Sequence, residues 1–171
     1  MKILILSDSH GLTEELLSIR NKHEHEVSQF IHCGDSELSA DNENLSGFTA
    51  VRGNCDFESK FPEDLLLEAA GRKMLVTHGH KYGVKSSIMS LSYRAKELAA
   101  DIVCFGHSHI LGAEMIDGTL FINPGSVRLP RGRKERTYVI LELNDREGIL
   151  HVYDVEEGII NDLSHSFSFA V

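Results

Sequence analysis

Five short blocks place metal-binding side chains directly after apolar stretches: Asp8-Ser9-His10, Gly34-Asp35, Gly53-Asn54, His78-Gly79-His80 and Gly106-His107-Ser108-His109. Carboxylate, amide and imidazole are the donors that hold first-row divalent cations. Taken singly the blocks are ordinary. Gly-Asp and Gly-Asn are common turns, and Asp-Ser-His after a strand is a common helix cap with a surface histidine. Their shared place at strand ends is what points to one site, because ligands gather at the carboxyl ends of strands in open α/β sheets. Residues two apart on an extended segment point the same way. Asp8 with His10, and His107 with His109, are therefore expected to offer paired donors, with the adjacent glycines allowing the sharp turns that aim them.

The composition says where positive charge must come from. The chain has 171 residues, 42% of them hydrophobic, ten histidines and a net charge of −9. That balance argues against nucleic acid as a bulk electrostatic partner, since phosphate backbones are held by clustered Lys and Arg. Phosphate chemistry would instead draw its charge from bound cations. Cys33, Cys55 and Cys104 are odd in number, widely spaced and without a Cys-x-x-Cys pair, which argues against both a disulfide framework and a thiolate zinc cluster. A reducing cytoplasm is the expected location. The longest apolar runs fall far short of the roughly 20 residues that span a bilayer. The start of the chain has too few apolar residues for a secretory signal, so neither membrane nor export is expected.

The elements that must position these blocks follow from periodicity. Lys2 to Ser7 is apolar on both faces, as in a strand covered by helices. Leu12, Leu16 and Ile19 mark a helix over about 13–22. Short strands are expected at 30–33 and 48–52, with a polar loop at 36–47 that contains at most one helical turn. A hairpin is expected to pair 65–68 with 73–77. Ile88, Leu91, Ala95, Leu98 and Ala99 mark a second helix, and 102–105 another strand. Turns at Asp117-Gly118, Asn144-Asp145 and Glu157-Gly158 punctuate a β-rich remainder, read as largely antiparallel. The first half reads as doubly wound, so the expected class is mixed α/β: one domain over 1–171 with two packed sheets flanked by helices.

The five blocks, in this order from Asp8 to His109, resemble the calcineurin-like metallophosphoesterase superfamily. Asn123-Pro124-Gly125-Ser126 looks like a further block of its small bacterial and archaeal phosphodiesterase branch. The resemblance implies a four-layer sandwich and two divalent cations per chain, one held by Asp8, His10, Asp35 and His109, the other by Asp35, Asn54, His78 and His107. Asp35 would bridge them. Four imidazoles, two carboxylates and one amide suit Mn²⁺ foremost, with Zn²⁺, Fe²⁺, Co²⁺ or Ni²⁺ as alternatives, and Mg²⁺ less well. The expected activity is phosphodiester hydrolysis of a small substrate, by in-line attack of a hydroxide bridging metals about 3.5 to 4 Å apart. Asn54 and His80 are the expected catalytic contacts. A protein-interaction scaffold of the same fold, as in the small retromer subunit, is the competing reading, but such a scaffold would be expected to lack some ligands.

Cys55 departs from the family's wider pattern, which has His after the Gly-Asn. A thiol is a poor proton donor below about pH 8.5, so Cys55 reads as packing. His80 is expected to contact His78 or the substrate. His23, His25, His32, His151 and His165 read as structural or surface residues, and Met74, Met89 and Met115 as core filling. Arg128, Arg131, Arg133, Lys134 and Arg136 form the one dense basic run. It reads as a solvated loop, with a substrate-phosphate or homo-oligomer contact as the functional alternative.

Overall fold

The computed structural model describes residues 1–169. The first strand and helix are β1 (Lys2–Leu6) and α1 (Glu14–His23), followed by β2 (Gln29–His32) and β3 (Phe48–Ala50). The hairpin is β4 (Asp64–Ala69) and β5 (Arg72–Thr77), and α2 (Met89–Leu98) leads into β6 (Ile102–Cys104). The β-rich remainder holds β7 (Leu111–Ile116), β8 (Thr119–Pro124), β9 (Thr137–Leu143), β10 (Glu147–Asp154), β11 (Gly158–Ile159) and β12 (His165–Ser168). The polar loop contains the one expected turn of helix, at Glu43–Leu45.

These strands make two mixed sheets. One runs β11-β10-β9-β1-β2-β3 with β12 beside β10, and the other runs β4-β5-β6-β8-β7. The two halves of the sequence do not correspond to the two sheets. β9 lies antiparallel against β1, pairing Ile3 with Leu141, and β8 lies parallel to β6, pairing Val103 with Phe121. Long-range pairing of this kind leaves no periodic trace, because β1, β6, β8 and β9 are buried on both faces.

Alternation along the strands explains the layers. In β1, Ile3 and Ile5 face the space between the sheets, where they meet Met74 and Val76 of β5, Ile102 and Cys104 of β6, and Leu120 and Ile122 of β8. Leu4 and Leu6 face the other way, onto Leu16 and Ile19 of α1. On the far side, Leu75, Val103 and Phe121 pack on Leu91 and Ala95 of α2. The order is helix, sheet, sheet, helix. Met74 and Met115 belong to the inter-sheet core as expected. Met89 does not: it opens α2 and is 59% exposed, so its apolar type carries no packing role.

Candidate metal centre

β1, β2, β5 and β6 all end on one side of the paired sheets, and the residues just beyond them converge. Their backbone is not the extended segment expected from the spacing of Asp8 with His10 and His107 with His109. Asp8, His10, Asp35, His107 and His109 have φ of 55°, 45°, 55°, 67° and 60°. All five lie in the left-handed region, which costs a non-glycine residue on the order of 1 kcal/mol or more. The chain therefore curls between each pair of donors. Ser9 turns inward to lie 2.9 Å from His32 Nε2, and Ser108 Oγ accepts from Asn123 Nδ2 at 2.9 Å.

Three sets of donor atoms lie within 4.8 Å of one another: Asp8, His10 and His109; Asp35, His78 and His107; and His10, Asp35 and Cys55. Six of the seven expected ligands are thus brought together in two groups, and Asp35 lies between them. The seventh, Asn54, is exposed on the rim, where its Nδ2 donates to Cys55 Sγ at 3.3 Å and leaves Oδ1 free. Cys55 sits closer to the donors than its reading as packing allowed. Burial, and then Asp35, push its thiol up to about 11, so it stays protonated at neutral pH.

The donor set fits a cation. His109 Nδ1 donates to the carbonyl of Leu129 at 2.7 Å, and His10 Nδ1 donates to Glu37 Oε1 at 2.6 Å. Each ring thereby turns its Nε2 inward, and the two Nε2 atoms face each other at 3.3 Å. Asp8 Oδ1 lies 3.1 Å from one and 4.0 Å from the other. Three acceptors converging without a donor repel unless a proton or a cation sits among them. Without a metal the proton plays that part: hydrogen bonding to Asp8 raises the pKa of His109. The Asp8 carboxyl is correspondingly lowered, its burial being outweighed by hydrogen bonds from His109 and His78. In the second group His78 Nε2 lies 3.4 Å from Asp35 Oδ2 and 3.2 Å from Asp8 Oδ1. Burial, and then His78, push His107 down to about 4, so it is a neutral donor at pH 7.

Support comes from residues that spacing alone did not single out. Asp56 is buried and accepts from the amides of Asp35 (2.9 Å), Gly53 (2.7 Å) and Glu37 (2.7 Å) and from Ser36 Oγ (3.2 Å). It ties the Asp35 loop to the Asn54 loop. His80 Nδ1 lies 3.1 Å from His78 Nδ1, and its Nε2 lies 3.9 Å from Glu63. The contact with His80 fixes the ring orientation of His78, while Glu63 pairs with Lys81 at 3.0 Å. Ser126 Oγ donates to the Asp8 carbonyl at 2.8 Å, giving the Asn-Pro-Gly-Ser block a direct hold on the site.

His32, read from sequence as structural or surface, is fully buried beneath the first group. Its Nδ1 accepts from the Gly34 amide at 3.2 Å, so Nε2 carries the proton and donates to Ser9. Burial pushes its pKa down to about 4. A histidine lowered on folding takes up protons more readily when unfolded, so stability is full above about pH 6.5 and falls as pH drops toward 4. The metal-free chain is expected to lose on the order of 3 kcal/mol across that window from His32. His32→Asn should flatten the loss, as measured by urea midpoints at pH 7 and pH 4.5; an unchanged slope would contradict this assignment.

Among known proteins, residues 1–146 match the family model of the calcineurin-like phosphoesterase superfamily domain. The probable metallophosphoesterase YsnB of Bacillus subtilis is 51% identical over 165 residues, covering 96% of this chain and 98% of YsnB. The phosphodiesterase YfcE of Escherichia coli K12 is 32% identical over 115 residues, which cover 61% of this chain and 57% of YfcE. A solved Streptococcus pneumoniae TIGR4 protein described as a predicted phosphoesterase superposes with a TM-score of 0.93 at 34% identity, over 98% of this chain and 97% of that one. With the converging donors of β1, β2, β5 and β6, these matches show that the chain belongs to the calcineurin-like phosphoesterase superfamily.

Proposed function

We propose that the chain is a cytosolic phosphodiesterase that works with two divalent cations, Mn²⁺ foremost, on a small phosphoester. The observation that carries this reading is the pair of donor groups, Asp8-His10-His109 and Asp35-His78-His107, with Asp35 between them. Cations held there would supply positive charge to the phosphoryl oxygens and a water acidic enough to attack phosphorus in line at neutral pH.

The protein's own part is to hold the donors rigid. Leu129, Glu37 and His80 fix three imidazoles by hydrogen bonds to their outer nitrogens. Asp56 locks the loop that carries Asp35. Asn54 Oδ1 is free to complete the second group or to meet the substrate. Burial, and then the neighbouring His78, lower the pKa of His80, so it is neutral at pH 7. In this reading His80 positions His78 and does not donate a proton to the leaving group. Cys55, a thiol raised to about 11, is too weak an acid to take over that task. Substrates with good leaving groups should therefore be cleaved best.

Metal-stripped protein resupplied with Mn²⁺ should cleave bis(p-nitrophenyl) phosphate at least about a hundredfold faster than the stripped form, and faster than it cleaves p-nitrophenyl phosphate. Two bound cations with neither ester cleaved would overturn the enzyme reading and favour a scaffold of the same fold.

A further inference from the structure

The basic run after Asn123-Pro124-Gly125-Ser126 is the expected exposed loop between two strands, β8 and β9, but it is tethered at its start. With Ser126 just before it, its first part is hydrogen-bonded to each residue of the first group. Ser126 Oγ bonds the Asp8 carbonyl, Arg128 Nη1 donates to the His10 carbonyl, Leu129 O accepts from His109 Nδ1, and the Arg131 amide donates to His109 O at 3.0 Å. Ser126 Oγ also accepts from the amides of Arg128 (3.2 Å) and Leu129 (2.8 Å), so the start of the run is held tightly.

The arginines of this run differ in their partners. Those farther from the metal centre are neutralised: Arg133 by Glu135 at 3.3 Å, and Arg136 by Glu156 at 2.7 Å and Glu15 at 3.5 Å. Arg128 and Arg131 are exposed, and among the described residues neither has a carboxylate within 4.0 Å. In a chain of net charge −9, two arginines without a carboxylate partner, each bonded to a residue of the first donor group, are free to meet an anion. Arg131 stands where two clefts of about 420 and 520 Å³ meet, the larger running from Ser108 past Phe105, Ile88 and Ala113. Glu37 is taken up by His10 Nδ1 at 2.6 Å and does not neutralise either arginine.

We infer that Arg128 and Arg131 form a second anion subsite, which selects phosphodiesters whose non-leaving arm carries a further phosphate or other strong anion. This inference rests on the phosphodiesterase reading. The guanidinium fork suits bidentate contact with a phosphate. The net negative charge of the whole protein would otherwise disfavour the more anionic substrate, so any preference for it must arise locally.

The test compares two esters with the same leaving group: ethyl p-nitrophenyl phosphate and 2-phosphonoethyl p-nitrophenyl phosphate. With the Mn²⁺-loaded protein, kcat/KM is expected to favour the phosphonate by about tenfold or more. In Arg128→Gln and in Arg131→Gln the ratio of the two should fall toward one, whatever happens to the rate on the ethyl ester. Arg146→Gln, an exposed arginine outside the run, should keep the ratio. A wild-type ratio near one, or a ratio unmoved in both variants, overturns the subsite and leaves the phosphodiesterase reading intact. If neither ester is cleaved, that reading fails, and calorimetric binding of the two esters to the Mn²⁺-loaded protein decides the subsite. A tenfold tighter phosphonate, lost in Arg131→Gln, supports it, and equal affinities overturn it.

Discussion

Gly53→Ala is expected to lower the unfolding free energy by about 3 kcal/mol or more. Whatever protein still folds should bind cations poorly. A methyl group at position 53 would land on the carboxylate and the amide nitrogen of Asp35. Neither can step aside. The amide is backbone held by Asp56 at 2.9 Å, and the carboxylate accepts from the Cys55 amide at 2.7 Å. The requirement here is space, not a left-handed backbone. Gly106 meets the same limit against Ser7 and Asp8. Urea unfolding and the metal content of the purified variant check the prediction. A Gly53→Ala protein within about 1 kcal/mol of wild type that still held two cations would show that the loops can part.

Asp56→Asn should be nearly as harmful, although the side chain keeps its size. The carboxylate of Asp56 faces four donors, and an amide would turn its own NH₂ group against one pair of them. Each buried donor left unpaired costs roughly 1 to 3 kcal/mol. The expected loss is thus about 2 kcal/mol or more for Asn and larger for Ala. Because Asp35 and Glu37 hang from this carboxylate, Mn²⁺ affinity should fall by roughly 10- to 100-fold. Thermal unfolding and Mn²⁺ titration of both variants are the measurements. If Asp56→Asn kept both properties, the carboxylate would be a surface cap and not the organiser of the two loops.

Most of the donors were legible because each follows a strand that apolar type alone identifies. Ile3 to Leu6, Ile102 to Cys104 and the Lys73 to Thr77 segment each announce a strand, and the residue that breaks the run is the ligand or its neighbour. The geometry at those ends was not legible. Spacing of two suggested an extended chain, whereas Asp8, His10, His107 and His109 are left-handed, a state that non-glycine residues adopt only when their surroundings impose it. Those surroundings come from distant parts of the chain. Asp56 had no local signal, because its four donors lie on two loops. His32 carried no motif, and its role appears only when β1 and β2 lie side by side and put Ser9 over it. The hold of Ser126 and Arg128 on the turn after β1 likewise depends on pairing that no local pattern records.

The central claim is that two distinct cation positions share Asp35. It is tested most directly by counting Mn²⁺ per chain in the wild type, in His109→Ala and in His107→Ala, with bis(p-nitrophenyl) phosphate hydrolysis measured on the same samples. The expected result is about two per chain in the wild type and about one in each variant, with hydrolysis lost in both. A wild-type count of one that either variant abolishes, or hydrolysis that persists at full rate with one cation, would contradict it.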